Sequence, residues 1–128
     1  MPPAASTKTK TILVIEDDEM QRTLVGYMIA EIGHKSVMAQ NAFEAKHWLA
    51  ANQPDLILMD ILLPQINGIE LALQLRSHLR VKSPVIVMTV LDDEETIRDA
   101  MEIGSVDFIR KPFQIEELKT KIQRALSH

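Results

Sequence analysis

The run Leu56-Ile57-Leu58-Met59-Asp60 constrains this chain more than any other feature, because unbroken apolar residues end in a single carboxylate. An apolar run of strand length reads as an inner strand of a parallel sheet, since helices cover both faces of such a strand. Asp60 then stands at the strand's carboxyl end, and Ile61-Leu62-Leu63-Pro64 carries the chain out of the sheet. Open α/β sheets hold their chemistry in the crevice beyond those ends. A carboxylate delivered there is a candidate nucleophile.

The rest of the chain keeps the same rhythm. Residues 1–10 carry two prolines, small residues and two lysines, and read as a flexible leader ahead of one domain over 11–128. Thr11 to Ile15 is a β-branched first strand that ends in the acidic run Glu16-Asp17-Asp18-Glu19. From Met20 the apolar residues Met20, Leu24, Tyr27, Met28 and Ile32 recur at helical spacing, and Gly33 supplies a stop. Lys35 to Ala39 makes a second strand, and Asn41 caps a helix that runs to about Ala51. After the central strand, Gln65-Ile66-Asn67-Gly68 leads into a third helix. Pro84 to Thr89 is a fourth strand, with proline at its first residue, where a missing N–H is tolerated. A helix from about Asp92 or Asp93 to Ile103 follows, then a fifth strand over Val106 to Ile109 and a last helix from about Gln114 to Ser127. Short connections and right-handed crossovers predict an α/β, doubly wound, five-stranded parallel sheet of order 2-1-3-4-5, with five helices shared between its faces.

Composition narrows the function classes. A chain of 128 residues, 46% hydrophobic and 25% charged, suits one ordinary domain, and a net charge of −4 offers no basic field for nucleic acid or anionic lipid. Cysteine is absent, which excludes a disulfide framework and a thiolate metal site. No apolar run approaches the ~18 residues that span a bilayer, so the expected setting is the cytoplasm, without direct nucleic-acid or membrane binding. His34, His47, His78 and His128 have no ligand spacing and are expected at the surface. The methionines Met20, Met28, Met38, Met59, Met88 and Met101 are expected to fill the core, while Phe43 and Trp48 contact the core or a surface patch.

With strand order 2-1-3-4-5 the first and third strands are neighbours, which brings Glu16 and Asp17 beside Asp60. Carboxylates within ~5 Å repel by a few kcal/mol per pair at an effective dielectric near 20, so the group calls for a cation. All-oxygen ligands of this hardness suit Mg²⁺, with Mn²⁺ as the alternative. The fourth strand brings Thr89 to the same rim and the fifth brings Lys111. A hydroxyl and an ammonium facing a carboxylate and a dication meet the needs of phosphoryl transfer, which proceeds mainly by positioning and charge neutralisation. The Lys111-Pro112 bond is a tertiary amide, so a cis peptide is accessible there.

These residues, taken in order along the chain, resemble the receiver domain of response regulators of two-component signalling, similar to the single-domain chemotaxis regulator, over Thr11 to Leu126. The matching residues are Glu16 and Asp17, Asp60 in Asp-Ile-Leu-Leu-Pro, Gly68, Thr89, Phe108 and Lys111-Pro112. The resemblance implies a flavodoxin-like fold in which Asp60 accepts phosphate and Glu16, Asp17, Asp60 and the backbone carbonyl of Leu62 hold the metal. Thr89 and Lys111 would contact the phosphoryl oxygens. It also implies a switch in which Thr89 moves toward the phosphate and the ring of Phe108 turns into the vacated space. The implied partners are a sensor histidine kinase or a histidine phosphotransfer protein, and a downstream protein or fused output domain. The face made by the fourth helix, fifth strand and fifth helix would meet them, or form a homodimer.

Val90 follows Thr89 where alanine or glycine is usual, which predicts slow phosphorylation by small donors, and Leu62 and Leu91 predict a long-lived acyl phosphate. An aspartyl phosphatase of the dehalogenase type would need a second acid two residues after the nucleophile, where this chain has Leu62. A nucleotide site lacks its glycine loop. A receiver-like interaction module that signals without phosphorylation is the standing alternative, and the filled acceptor, metal and lysine positions weigh against it. The chain stops just past the last predicted helix, which suits a free-standing regulator or a fragment of a longer one.

Overall fold

The fold follows from strands that alternate between two cores. In the computed structural model, which describes residues 8–90, 95, 98, 102 and 106–127, the strands are β1 (Thr11–Ile15), β2 (Lys35–Ala39), β3 (Leu56–Asp60), β4 (Val85–Thr89) and β5 (Val106–Arg110). All neighbours pair in parallel, in the order β2-β1-β3-β4-β5, as the sequence predicts. Ile12, Val14, Leu56, Leu58, Ile86, Met88 and Ile109 point to one face, and Leu13, Ile15, Ile57, Met59, Val85 and Val87 to the other. Side chains of successive strand residues must alternate in this way, so burial on both faces needs the continuous apolar runs that the strands have.

Four helices complete the described residues: α1 (Glu19–Ile32), α2 (Ala42–Leu49), α3 (Gly68–Ser77) and α4 (Ile115–Leu126). The helix predicted between about 92 and 103 lies mostly outside the described residues; Glu95, Arg98 and Glu102 within it are helical and exposed. Each helix start has a physical cause. Asp18 caps α1 by accepting from the Gln21 N–H, Asn41 caps α2 through the Glu44 N–H, and Asn67 caps α3 through the Ile69 and Glu70 N–H groups. Gly33 ends α1 at φ 108°, a left-handed conformation that suits glycine, and its N–H returns to Ile29 and Ala30.

Two side-chain expectations need correction. The buried row of α1 is Val25 and Ile29, flanked by Met28 and Ile32, whereas Met20, Leu24 and Tyr27 are 80%, 56% and 69% exposed. The helix carries two apolar rows roughly 120–150° apart, and only one can face the sheet. Met20 and Met38 are accordingly surface residues, while Met59 and Met88 are core; Met101 lies outside the described residues. His34 is half-buried, and its Nδ1 accepts the Lys10 backbone N–H at 3.0 Å. Trp48 packs against the core and Phe43 stacks on His47 at the surface. Of the leader, residues 1–7 lie outside the described residues, and Lys10 is tied to the β2 side, its carbonyl accepting from Lys35 N. No helix among the described residues is long and apolar enough to cross a membrane.

Candidate functional site

Strand parity assembles the site. Glu16, Asp60 and Lys111 each stand two residues beyond a buried residue of one face, Val14, Leu58 and Ile109. The ladders run on far enough to hold them there: Glu16 N donates to Ala39 O, Ile61 N to Met88 O and Lys111 N to Thr89 O. Period-two alternation then turns all three side chains to the α1 side of the strand ends. Lys111 Nζ lies 2.7 Å from Glu16 Oε1 and 3.1 Å from Asp60 Oδ2. Glu16 is 1% exposed and Asp60 is 8% exposed, so these charges meet where water screens them poorly.

Carboxylate oxygens of Glu16, Asp17 and Asp60 lie within 4.8 Å of one another, the arrangement expected from the sequence. Burial raises the pKa of Glu16, the charge of Asp60 adds to the rise, and the Lys111 ammonium opposes it. Burial works against the Lys111 ammonium, but its bond to Glu16 and the charge of Asp60 outweigh that and raise its pKa. Two buried acids share one ammonium, which leaves negative charge uncompensated. An all-oxygen set with that excess charge fits a hard dication such as Mg²⁺ or Mn²⁺.

The neighbouring loops hold these groups in place. Arg22 donates from one guanidinium nitrogen to the backbone carbonyls of Glu16 and Asp17, both at 2.9 Å, so it fixes the acidic loop without occupying its carboxylates. Asp60 Oδ1 accepts the Leu62 N–H at 3.0 Å, while the Leu62 side chain is exposed. Gly68 lets the return loop press on the Asp60 backbone: a Cβ there would stand 2.5 Å from the Asp60 carbonyl oxygen. The Lys111-Pro112 peptide is cis. Gln21, on the first turn of α1, accepts from Lys111 Nζ at 2.5 Å. Sequence reasoning missed Gln21 and Arg22, because the partner of one is 90 residues away and those of the other are backbone carbonyls; the N-cap spacing Asp18-x-x-Gln21 was the one local signal.

The other expected residues sit close by. Thr89 is buried at the end of β4, one residue beyond Met88, which pairs with Asp60. Phe108 is half-buried on β5, packs on the face opposite Asp60, and lies under the Lys121 ammonium, 5.4 Å from the ring centroid. Val90 is exposed and lines a groove with Gln21, Leu24, Val25, Lys111 and Phe113; Leu91 lies outside the described residues.

Comparison with known proteins fits this geometry. Residues 12–123 match the family model described as the response regulator receiver domain. The chain belongs to that family. This receiver domain is 36% identical over 120 residues to the regulatory protein AtoC of Escherichia coli, covering 94% of this chain and 26% of that protein. It is 35% identical to the phosphate regulon transcriptional regulatory protein PhoB of Pseudomonas aeruginosa, covering 91% of this chain and 52% of that protein. The receiver domain thus spans about a quarter to a half of the length of these curated relatives. Among solved structures, the signal receiver domain of a signal transduction histidine kinase from Syntrophus aciditrophicus superposes with a TM-score of 0.83 at 32% identity, over 93% of this chain and 91% of that one.

Proposed function

We propose that this receiver domain of a two-component response regulator accepts a phosphoryl group on Asp60 from a phosphohistidine of a sensor kinase or phosphotransfer protein. A carboxylate oxygen of Asp60 bonds to phosphorus, the phosphorus–nitrogen bond of the donor breaks, and the leaving imidazole takes up a proton. The observation that carries this reading is the buried Asp60 carboxylate between Glu16 and Lys111, with more acid than the lysine can neutralise. Glu16, Asp17, Asp60 and the Leu62 carbonyl would hold Mg²⁺ or Mn²⁺, which when bound would neutralise charge on the transferring group. Lys111 and the Thr89 hydroxyl would meet the phosphoryl oxygens.

Beyond the site, Thr89 and Phe108 form the switch of this reading, and the face of β5, α4 and the helix expected at about 92–103, most of which lies outside the described residues, carries its output to a downstream protein, a fused output domain or a second copy. The exposed row Met20, Leu24 and Tyr27 adjoins the groove at Lys111, and Leu24 belongs to both, which supports a protein as donor. The cytoplasm is the proposed setting, a reading supported by a cysteine-free sequence and by described helices too short or too polar to cross a membrane. Incubation with a phosphorylated kinase and Mg²⁺, read by intact mass, tests the proposal: one phosphoryl group per chain is expected, lost in Asp60→Asn and with chelator. Equal labelling of Asp60→Asn contradicts it by placing the phosphoryl group elsewhere, and no label in the wild type contradicts it and favours an interaction module that signals without phosphorylation.

A further inference from the structure

Lys111 has three ammonium protons, and three oxygens take them: Glu16 Oε1 at 2.7 Å, Asp60 Oδ2 at 3.1 Å and Gln21 Oε1 at 2.5 Å. The first two belong to the site described above. The third comes from a neutral amide on α1, and nothing in the helix requires it there. Gln21 occupies the third helical position after the Asp18 cap, where a glutamine ordinarily folds back to the cap's own N–H. Here that N–H is directed to Glu16 Oε2 at 3.3 Å, and the Gln21 side chain is free to reach across to Lys111. The cap keeps its other half, since the Gln21 backbone N–H still donates to Asp18 Oδ2 at 2.9 Å.

We propose that Gln21 is a positioning residue for Lys111, holding the ammonium over Asp60 when Glu16 is drawn to a dication. The inference rests on the phospho-acceptor reading of Asp60. A dication at these acids would compete with the Lys111 ammonium for the Glu16 carboxylate, and Lys111 would then give up its shortest charged contact. Gln21 carries no charge to sequester the ammonium and no affinity to rival a carboxylate for the dication. It leaves Lys111 tethered at one proton with the others available to Asp60 and to a phosphoryl oxygen. A carboxylate at position 21 would tether the lysine too strongly, and an alkyl side chain would release it to solvent.

The test combines two readouts on wild type, Gln21→Ala and Gln21→Glu. With Mg²⁺ bound, NMR of the Lys111 side chain is expected to show an ordered ammonium in wild type and Gln21→Glu and a mobile one in Gln21→Ala, whereas without metal Glu16 and Asp60 keep it ordered in all three. With Mg²⁺, the phosphoryl mimic beryllofluoride is expected to bind about three- to tenfold more weakly to Gln21→Ala, the loss of one hydrogen bond to a charged group at a partly exposed site. In a Lys111→Ala background the same substitution is expected to change nothing, because an effect passing through Lys111 disappears with it. The Asp18 cap uses only the backbone of Gln21, so Gln21→Ala preserves the helix start. Unchanged order of Lys111 in Gln21→Ala with Mg²⁺, or an equal loss of beryllofluoride affinity with and without Lys111, overturns the proposal. A wild type that fails to bind beryllofluoride contradicts the phospho-acceptor reading instead, and the NMR with Mg²⁺ alone then decides the role of Gln21.

Discussion

Glu16 shows how single residues set the behaviour of the site. Its carboxyl is held above the ordinary value of 4.5 by burial first and by Asp60, against the pull of Lys111. A carboxyl with a raised pKa binds its proton more tightly in the folded protein than in the unfolded one. Metal-free stability is therefore expected to decline as pH rises from about 4.5 through the raised value, and Glu16→Gln is expected to remove that slope in urea unfolding series. A slope that persists unchanged in Glu16→Gln places the titration elsewhere. The residues of this cluster were legible because each ends a strand whose apolar run is plain, so parity alone turns Glu16, Asp60 and Lys111 to one side. Gln21 and Arg22 were not, since a polar residue on the first turn of a helix looks the same whether it meets water, a distant lysine or a loop carbonyl.

At the scale of elements, the connections rather than the strands carry the least tolerant contacts. A Cβ on Gly68 would lie 2.5 Å from the Asp60 carbonyl oxygen and 2.9 Å from the Ile61 Cα, both backbone atoms that cannot rotate away. Gly68→Ala is expected to destabilise the fold by about 1–3 kcal/mol and to displace Asp60, read by urea unfolding and by amide shifts of Asp60 and Ile61. Loss below about 0.5 kcal/mol would show the return loop to be freer than this contact allows. At the other end of the sheet, burial lowers the His34 pKa from 6.5, Lys10 adds to that, and Asp55 opposes it. The unfolded chain then takes up the proton first, so stability is expected to fall as pH drops through about 6.5, and His34→Gln is expected to flatten that fall. An identical pH profile in His34→Gln rules this out. Which face of α1 is buried was not legible for a physical reason: its two apolar rows have equal periodicity, and hydrophobic spacing cannot say which of them the sheet takes.

Across the whole molecule, the layers divide the work. The face with Val14, Leu58 and Ile109 carries the acids and the lysine, while the face with Val87 and Phe108 packs against α2 and α3. The order of the strands was legible, since five apolar runs separated by helical stretches leave a doubly wound parallel sheet as the natural solution. The surface was less so, because burial at a partner does not show in one chain's pattern. If Met20, Leu24 and Tyr27 receive the donor, Leu24→Arg is expected to slow transfer from a protein donor by about tenfold or more and to leave acetyl phosphate transfer within about twofold, both read by rates of labelling. Equal slowing with both donors points to damage at Asp60 instead.

The central claim is that Glu16, Asp17 and Asp60 share one dication under which Asp60 takes phosphorus. A crystal structure with Mg²⁺ and beryllofluoride tests it most directly. The account predicts one octahedral ion touching these carboxylates and the Leu62 carbonyl, beryllium bonded to an Asp60 oxygen, and Lys111 withdrawn from Glu16 onto a fluorine. Density for an ion elsewhere, or carboxylates turned out to solvent with Asp60 unmodified, would contradict it.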